Sequence, residues 1–413
     1  MDVIDIGARL GYDSQIKRMQ YHTHDAYAGS KFQNTDEIAF TIQNQDVYTL
    51  PCKSYIHIEG KLLTTAGNPV RKTKFISNAF AYLISQCRYL LNGIEIDSTR
   101  NVGYTSSMKG LASLSPDDAR RLGNAGWDPE FTPTVHTDGS FTAIVPLSTL
   151  MGCFEDYKKM IVNCKQELIL VRSQRDVNCI ITEPPAAAAP GAEAPLLEQA
   201  KITITKMNWQ MPHIEVSDSA RLQILKYVQE DRPIEIGFRS WRACEKPLRP
   251  DTNTIDWQVK TSTHLERPRY VLLALQTNKR NVATADAFKF DHCKIKNVKL
   301  HLNDKPYPYN DLHLQMSKKH AAVLYEMFCN FRESYYGKDQ APLINKMKFI
   351  NQLPLIVIDC NKQNEAVKSG AIDVRIEIEA DESFPENTTA FCVILHDRIV
   401  DYTPLTNVVR RHN

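Results

Sequence analysis

The sequence predicts an all-β protein: two tandem antiparallel jelly-roll domains, a double jelly roll, with short helices in the connections. Three observations predict it. A strand-turn-strand signature occurs twice, at Arg88-Tyr-Leu-Leu-Asn-Gly-Ile-Glu-Ile-Asp97 and at Lys299-Leu-His-Leu-Asn-Asp-Lys-Pro-Tyr-Pro308. Similar elements follow in the same order around each copy. Neither half alternates strands with long helices, as a parallel α/β sheet requires.

Asn-Gly and Asn-Asp both accept the positive φ of a two-residue hairpin turn. Each copy therefore reads as a long strand, a tight turn and a short return strand. Asn92 and Asn303 lie 303 − 92 = 211 residues apart. On the same offset Leu91 falls on Leu302 and Ile84 on Ile295, so strand and turn repeat together.

Residues 1–36 are polar, lack a sustained period and read as an irregular N-terminal arm. Ile38, Phe40 and Ile42 then alternate with Ala39, Thr41 and Gln43, the pattern of a half-buried strand, and Ile56 and Ile58 repeat it around His57. The run Phe75 to Leu91 leads into the first hairpin. A short helix is expected over Thr105–Leu114, and Gly, Pro and Asp make 115–139 a loop. Phe141–Leu147 and Glu167–Val171 resume as strands, with a helical turn between them at Glu155–Met160. The segment from Glu183 to Pro195 is nearly all Pro and Ala, which lack donors or bulk to bury. Ile202 and Ile204 alternate with Thr203 and Thr205 directly after it and complete the first half, so this segment is an exposed loop rather than a linker.

The boundary falls at Ser217–Glu230, where Ser217 or Asp218 can cap a helix and Leu222, Leu225 and Val228 recur on one face. Asp231-Arg-Pro233 stops it. Ile234, Ile236 and Phe238 alternate like the strand at Ile38, at an offset of 234 − 38 = 196 that loop insertions would produce. A polar excursion is expected from Trp241 to Arg267. The strand Tyr270–Leu275, the second hairpin, a helix over Ser317–Phe331 and a strand over Leu353–Cys360 come next. Ile372, Val374, Ile376 and Ile378 alternate against Asp373, Arg375, Glu377 and Glu379, and Phe391, Val393 and Leu395 supply the last strand. The expected organisation is an arm at 1–36, a first jelly roll at 37–216, a connecting helix at 217–232, a second jelly roll at 233–403 and a tail at 404–413. Each roll should hold roughly eight strands.

Bulk composition agrees with this plan. A chain of 413 residues can bury two cores, and 43% hydrophobic with 24% charged residues is ordinary for globular proteins. Fifty basic and forty-eight acidic side chains give +2, so no overall field draws the protein to nucleic acid. The start, Met1-Asp-Val-Ile-Asp-Ile-Gly, lacks a charged region followed by an apolar run, and no segment reaches the length of a membrane span. A soluble, non-secreted protein is expected. The ten cysteines form no C-x-x-C pair and mostly sit in apolar runs, the setting of buried reduced thiols.

Four features carry a resemblance: Tyr55-Ile-His-Ile-Glu59, the hairpin Leu91-Asn-Gly-Ile-Glu95, the helix after each hairpin, and Leu302-Asn-Asp304. On these the chain resembles, over nearly its whole length, the double jelly-roll major capsid proteins of the Polinton, adintovirus and virophage lineage. It likewise resembles related double jelly-roll proteins carried in insect genomes. The resemblance implies two rolls side by side in each subunit, pseudo-hexagonal homotrimers and an icosahedral shell. It implies a structural protein without enzymatic activity or cofactor, whose partners are further copies of itself, neighbouring capsomers and a penton or vertex protein. Genome contact would be weak or indirect. The location implied is the virion, after synthesis in the host cytoplasm, with the nucleus open as the assembly site. A cellular protein descended from such a capsid gene would look the same.

The stronger catalytic patterns, G-x-x-x-x-G-K-[ST], G-x-S-x-G and H-E-x-x-H, do not occur. His22-Thr-His24-Asp25 is the most metal-like cluster, two imidazoles and a carboxylate on an extended segment, but no cysteine lies nearby and no metal is assigned to it. His292 and Cys293 would point to opposite faces of a strand. The charges of Glu155-Asp-Tyr-Lys-Lys159 read as a solvated face, and those at Arg375 and Glu377 as a solvated or intersubunit face. Trp241, between Ser240 and Arg242, is of the type enriched at interface centres. The candidate interface residues are thus Trp241, Arg375 and Glu377; no catalytic, cofactor-binding or metal residue is assigned. Lys17-Arg18 and Arg410-Arg411-His412 are too few charges for a genome site, and Trp209, Trp241 and Trp257 are not interleaved with basic clusters. The alternative of a bicupin-like enzyme or sugar-binding protein needs histidines and carboxylates on inward strand positions, and the strands at 38–42, 202–204 and 372–378 offer none.

Overall fold

The computed structural model describes residues 15–27, 31–43, 48–127, 136–185, 196–259, 268–303, 305–362 and 373–411. Each half contains two large antiparallel sheets, the first half adds a two-stranded one of Thr73–Phe75 with Ile180–Thr182, and no sheet of the described residues mixes strands of the two halves. In the first half one sheet runs Ile16–Asp25, Ala200–Val216, Tyr55–Thr64, Ser140–Pro146, and the other Glu37–Ile42, Gln166–Arg172, Ile84–Leu91, Ile94–Arg100. In the second half the corresponding orders are Ile234–Pro247, Thr388–Thr403, Pro268–Thr277, Ile356–Asp359, and Thr254–Gln258, Val374–Ala380, Ile295–Leu302, Lys305–Tyr307. With the short strands Tyr48–Thr49, Thr73–Phe75, Ile180–Thr182 and Val408–Arg411 set aside, both halves place their first, eighth, third and sixth strands in one sheet. The second, seventh, fourth and fifth lie in the other. This is jelly-roll connectivity, found twice.

The alternating apolar residues lie inward. Ile38, Phe40 and Ile42 are buried, as are Ile56 and Ile58, and Val374, Ile376 and Ile378. Tyr89 of one sheet meets Trp209 of the other edge-on, with ring centroids 6.4 Å apart. Such aromatic pairs across the two layers fill the sandwich.

The hairpins explain why asparagine recurs at the same place. Leu91 pairs with Ile94 across Asn92 (φ 48°) and Gly93 (φ 80°), both in the left-handed region a two-residue turn requires. Leu302 pairs with Lys305 in the second copy, and Asn303 has φ 52°. Each asparagine also clamps the residue just before the seventh strand of its half. Lys165 N–H donates to Asn92 Oδ1 at 2.9 Å and Asn92 N–H to the Lys165 carbonyl at 2.9 Å. Asp373 and Asn303 repeat both bonds at 2.9 Å.

Several expectations need correction. The supposedly irregular arm contains the ten-residue strand Ile16–Asp25, paired antiparallel with Ala200–Val216. It is exposed along nearly its whole length, so its sequence has no apolar period to betray it. It is the counterpart of Ile234–Pro247, and Glu37–Ile42 is the counterpart of Thr254–Gln258, at 254 − 37 = 217 residues rather than 196. The polar excursion from Trp241 is instead the second part of strand Ile234–Pro247, then strand Thr254–Gln258. Residues 260–267, the end of that excursion, lie outside the described residues, as do 186–195 of the Pro/Ala segment. The tail at 404–413 includes strand Val408–Arg411, which folds back on Val400–Thr403.

Helices form near their expected places with shifted ends. The first hairpin is followed by Val102–Ser113, every residue of it buried, and the second by Ala322–Tyr336 rather than Ser317–Phe331. The turn expected at Glu155–Met160 is the helix Gly152–Asp156. Helix Lys346–Gln352, capped by the Asn345 side chain, precedes strand Ile356–Asp359 inside the stretch read as strand from Leu353. Helix Asp218–Gln229 forms with Ser217 accepting from Ala220 N–H at 3.3 Å. Its expected apolar stripe does not face the core: Leu222 is 69% and Leu225 49% exposed, and Ala220 is its buried residue.

Candidate functional site

The densest side-chain chemistry lies along the seam between the two halves. Strand Ile94–Arg100 of the first half runs beside strand Ile234–Pro247 of the second. Asp97, wholly buried on that edge, accepts from Ser240 Oγ at 2.5 Å and from the backbone of Cys153 and Ser98 at 3.0 Å each. Burial raises its pKa, and the Ser240 hydroxyl opposes that shift. Arg398 Nη1 donates to the Ile96 carbonyl at 2.9 Å.

Helix Gly152–Asp156 closes against the same strand. A Cβ on Gly152 would lie 1.7 Å from the Arg239 carbonyl oxygen, so only glycine lets the two backbones approach this closely. At the helix end, Asp156 receives Arg239 at 2.7 and 2.8 Å in a two-pronged ion pair. The Arg239 guanidinium also stacks 3.5 Å over the Tyr335 ring.

Lys109, from the buried helix, reaches Glu155 and the Tyr336 hydroxyl and sits 4.8 Å over the Trp241 ring. Burial lowers its pKa, and Glu155 acts against that shift. Arg332 ties helix Ala322–Tyr336 back to the Ser113 carbonyl at 2.8 Å and to Asp118 at 2.9 Å. Tyr104 stacks on Phe391 at 4.3 Å, and Tyr82 donates to the Ala287 carbonyl at 3.1 Å. At the hairpin end Tyr402 donates to the Asn163 carbonyl, and Asn92 Nδ2 to that of Asn407 at 3.1 Å. Arg239–Asp156 and Arg332–Asp118 pair across the seam, while Lys109 and Glu155 pair within the first half and both meet Tyr336 of the second, all beside aromatic rings. That arrangement fixes two bodies in one orientation rather than presenting a free acid or base.

A cavity of about 510 Å³ opens between the halves, lined by Trp127, Phe154 and Lys158 from the first and Arg332, Tyr336 and Lys338 from the second. Its acids, Glu155 and Asp118, are engaged by Lys109 and Arg332. Among the described residues no group of three or more His, Cys, Asp or Glu is arranged to hold a metal ion. All ten cysteines are unpaired with one another. Burial pushes the Cys87, Cys153, Cys179 and Cys392 thiols well up, away from the thiolate a nucleophile needs.

A family model, the Double jelly roll-like domain, matches residues 73–400. The chain belongs to the double jelly roll-like domain family. Solved structures with the same fold cover it almost end to end. PBCV-1 VP54, a crystal structure fitted into a reconstruction of the virophage Sputnik, is 8% identical over 98% of this chain and 99% of that one, with a TM-score of 0.61. The Faustovirus major capsid protein is 9% identical over 96% and 92% (TM-score 0.58), and the mavirus major capsid protein 11% over 99% and 92% (TM-score 0.54). At such identities the likeness is one of fold. No match is found among curated proteins.

In this double jelly roll the residues singled out from sequence fall in different places. Trp241 is wholly buried beside Gly152 and Lys109, so its ring packs the seam within one chain and offers no surface to another copy. Arg375 and Glu377 stand partly exposed on the outward face of strand Val374–Ala380, beside Asp256 and His301, with His301 Nε2 and Glu377 Oε2 2.9 Å apart. Glu155 and Asp156, read as a solvated run, are largely buried at the seam, with side-chain exposures of 13% and 15%. Asp97, Lys109 and Arg239 carry no mark in the sequence that would have singled them out. His22 and His24, on the exposed first strand, meet His213 of the neighbouring strand.

Proposed function

We propose that the protein is a viral or virus-derived major capsid protein whose homotrimers form pseudo-hexagonal capsomers and tile an icosahedral shell. The observation that carries the reading is the doubled jelly roll locked along a buried ionic seam. Such a subunit behaves as one rigid two-lobed block, and three blocks give six lobes under closed threefold symmetry. The major capsid proteins of Faustovirus and mavirus share this fold over nearly their whole length. Near-zero net charge suits a surface that must pack against copies of itself. Rolls at 37–216 and 233–403 joined by 217–232, with strand Ile16–Asp25 completing the first, are the building unit in this reading. Arg375 and Glu377 are candidates for lateral contacts.

On this reading the protein acts without catalysis or cofactor. Its partners are its own copies and a penton or vertex protein, with weak or indirect genome contact. It resides in the virion after synthesis in the host cytoplasm. Domestication in a host genome would leave the same subunit. Negative-stain imaging of the concentrated protein tests the proposal: hexagon-outlined capsomers or closed shells support it, and featureless monomers at every concentration oppose it.

A further inference from the structure

The first strand is held to its sheet in an unusual way. Ile16–Asp25 lies at the sheet edge with almost every residue exposed, so little apolar burial fastens it. Beyond backbone bonds, its ties are polar or superficial. Lys17 pairs with Asp218 at 2.9 Å, Thr23 bonds Gln210, Asn208 donates to Asp25 at 2.7 Å, and Tyr21 lies against Tyr55. Towards its C-terminal end three imidazoles converge. His24 Nε2 and His213 Nε2 are 3.1 Å apart, and His22 stacks on His213 with centroids 4.2 Å apart and planes 12° apart. His213 is only 8% exposed.

We propose that this histidine cluster makes the docking of strand Ile16–Asp25 pH-dependent, holding it on the sheet at neutral pH and releasing it in mild acid. A 3.1 Å contact between two ring nitrogens needs one of them unprotonated, and two imidazolium rings at that distance repel. Burial and the neighbouring imidazoles push His213 down to about 4, and burial and His22 lower His24. With the strand released, His24 and the uncovered His213 would titrate near the ordinary value of about 6.5. Between those limits the released state binds more protons, so falling pH favours release.

The surrounding charges do not cancel this. Arg18 on the strand faces Glu215, and Asp25, which raises His24, is already engaged by Asn208. Lys53 and Cys52 lie in the turn whose Lys53 carbonyl accepts from Tyr21. On strand Tyr55–Thr64, Glu59 sits with His57 and Lys206, and on Glu37–Ile42, Glu37 pairs with Arg88. Asp218, held by Lys17 below the usual carboxylate range, stays ionised throughout this window.

Hydrogen exchange of the full-length protein at pH 7.5 and 5.0, corrected for intrinsic rates, tests the proposal. Amides of 16–25 and 208–216 should lose at least about tenfold of their protection at pH 5.0, while those of strand Val374–Ala380 keep theirs. His213→Gln should remove most of that response, and the double substitution His22→Gln/His24→Gln should reduce it. Equal protection of wild-type 16–25 at both pH values, or an unchanged pH response in both variants, overturns it.

Discussion

Arg239 and Asp156, one from each half, form the two-pronged contact on which the seam turns: Nη2 to Oδ1 at 2.7 Å and Nε to Oδ2 at 2.8 Å, with the Arg239 backbone N–H also 2.9 Å from Oδ2. Removing the acid strands a guanidinium that is only 23% exposed. Asp156→Ala should therefore lower unfolding stability by about 3–5 kcal/mol in urea titrations. A loss under about 1 kcal/mol, the scale of a surface pair, would mean the seam does not depend on it.

Gly152 should be nearly irreplaceable. Its Cβ would meet a backbone oxygen at 1.7 Å, which no rotamer change relieves. Gly152→Ala is expected to cost about 3 kcal/mol or more, or to give insoluble protein, measured by thermal melting and soluble yield. Gly123→Ala, where nothing lies within 4 Å, is the control and should melt close to wild type.

The two hairpin asparagines should respond alike if the halves are true structural repeats. Asn92→Gly and Asn303→Gly keep the left-handed turn and lose the bond to the seventh strand, an expected cost of about 1 kcal/mol each, to which Asn92→Gly adds the loss of its exposed bond to the Asn407 carbonyl. The corresponding alanine variants add the strain of positive φ and should lose about 2 kcal/mol or more. Denaturant midpoints measure both series, and a large effect in only one half would break the equivalence.

These elements also mark what the sequence makes legible. The repeat is visible because Asn92 and Asn303 each do two jobs, turning the chain and clamping the seventh strand, and few residues do both. The alternating strands at Ile38 and Val374 are visible because one face is buried. Strand Ile16–Asp25 is hidden because both its faces are wet, and that misaligns the first strands of the halves by one element. The seam is illegible for another reason. Glu155 and Asp156 stand in a locally charged run, while their partners come from 46 to 181 residues away, at Lys109, Arg239 and Tyr336. Charge read along the chain cannot distinguish a solvated face from a seam closed by a distant strand. Trp241 misleads in the same way, since Lys109 and Gly152, which bury it, are remote in sequence.

Acid should weaken the fold through His396. It is 3% exposed, and burial, with Arg398 nearby, holds its pKa down to about 4, against about 6.5 when unfolded. The unfolded state thus binds the extra proton as pH falls below about 6.5, and the stability present above that value is lost progressively down to about 4. Linkage puts the loss at about 3 kcal/mol, visible as a falling melting temperature across that window. His396→Gln should make the profile shallower there, with His213 still contributing; an identical slope would assign the loss to other groups.

The most direct test of the capsid reading is the mass and outline of the purified full-length protein, by light scattering followed by class averages of negatively stained particles. A mass of three times 47.1 kDa with a hexagonal outline is the expected result. A stable monomer of 47.1 kDa across salt and pH would contradict it.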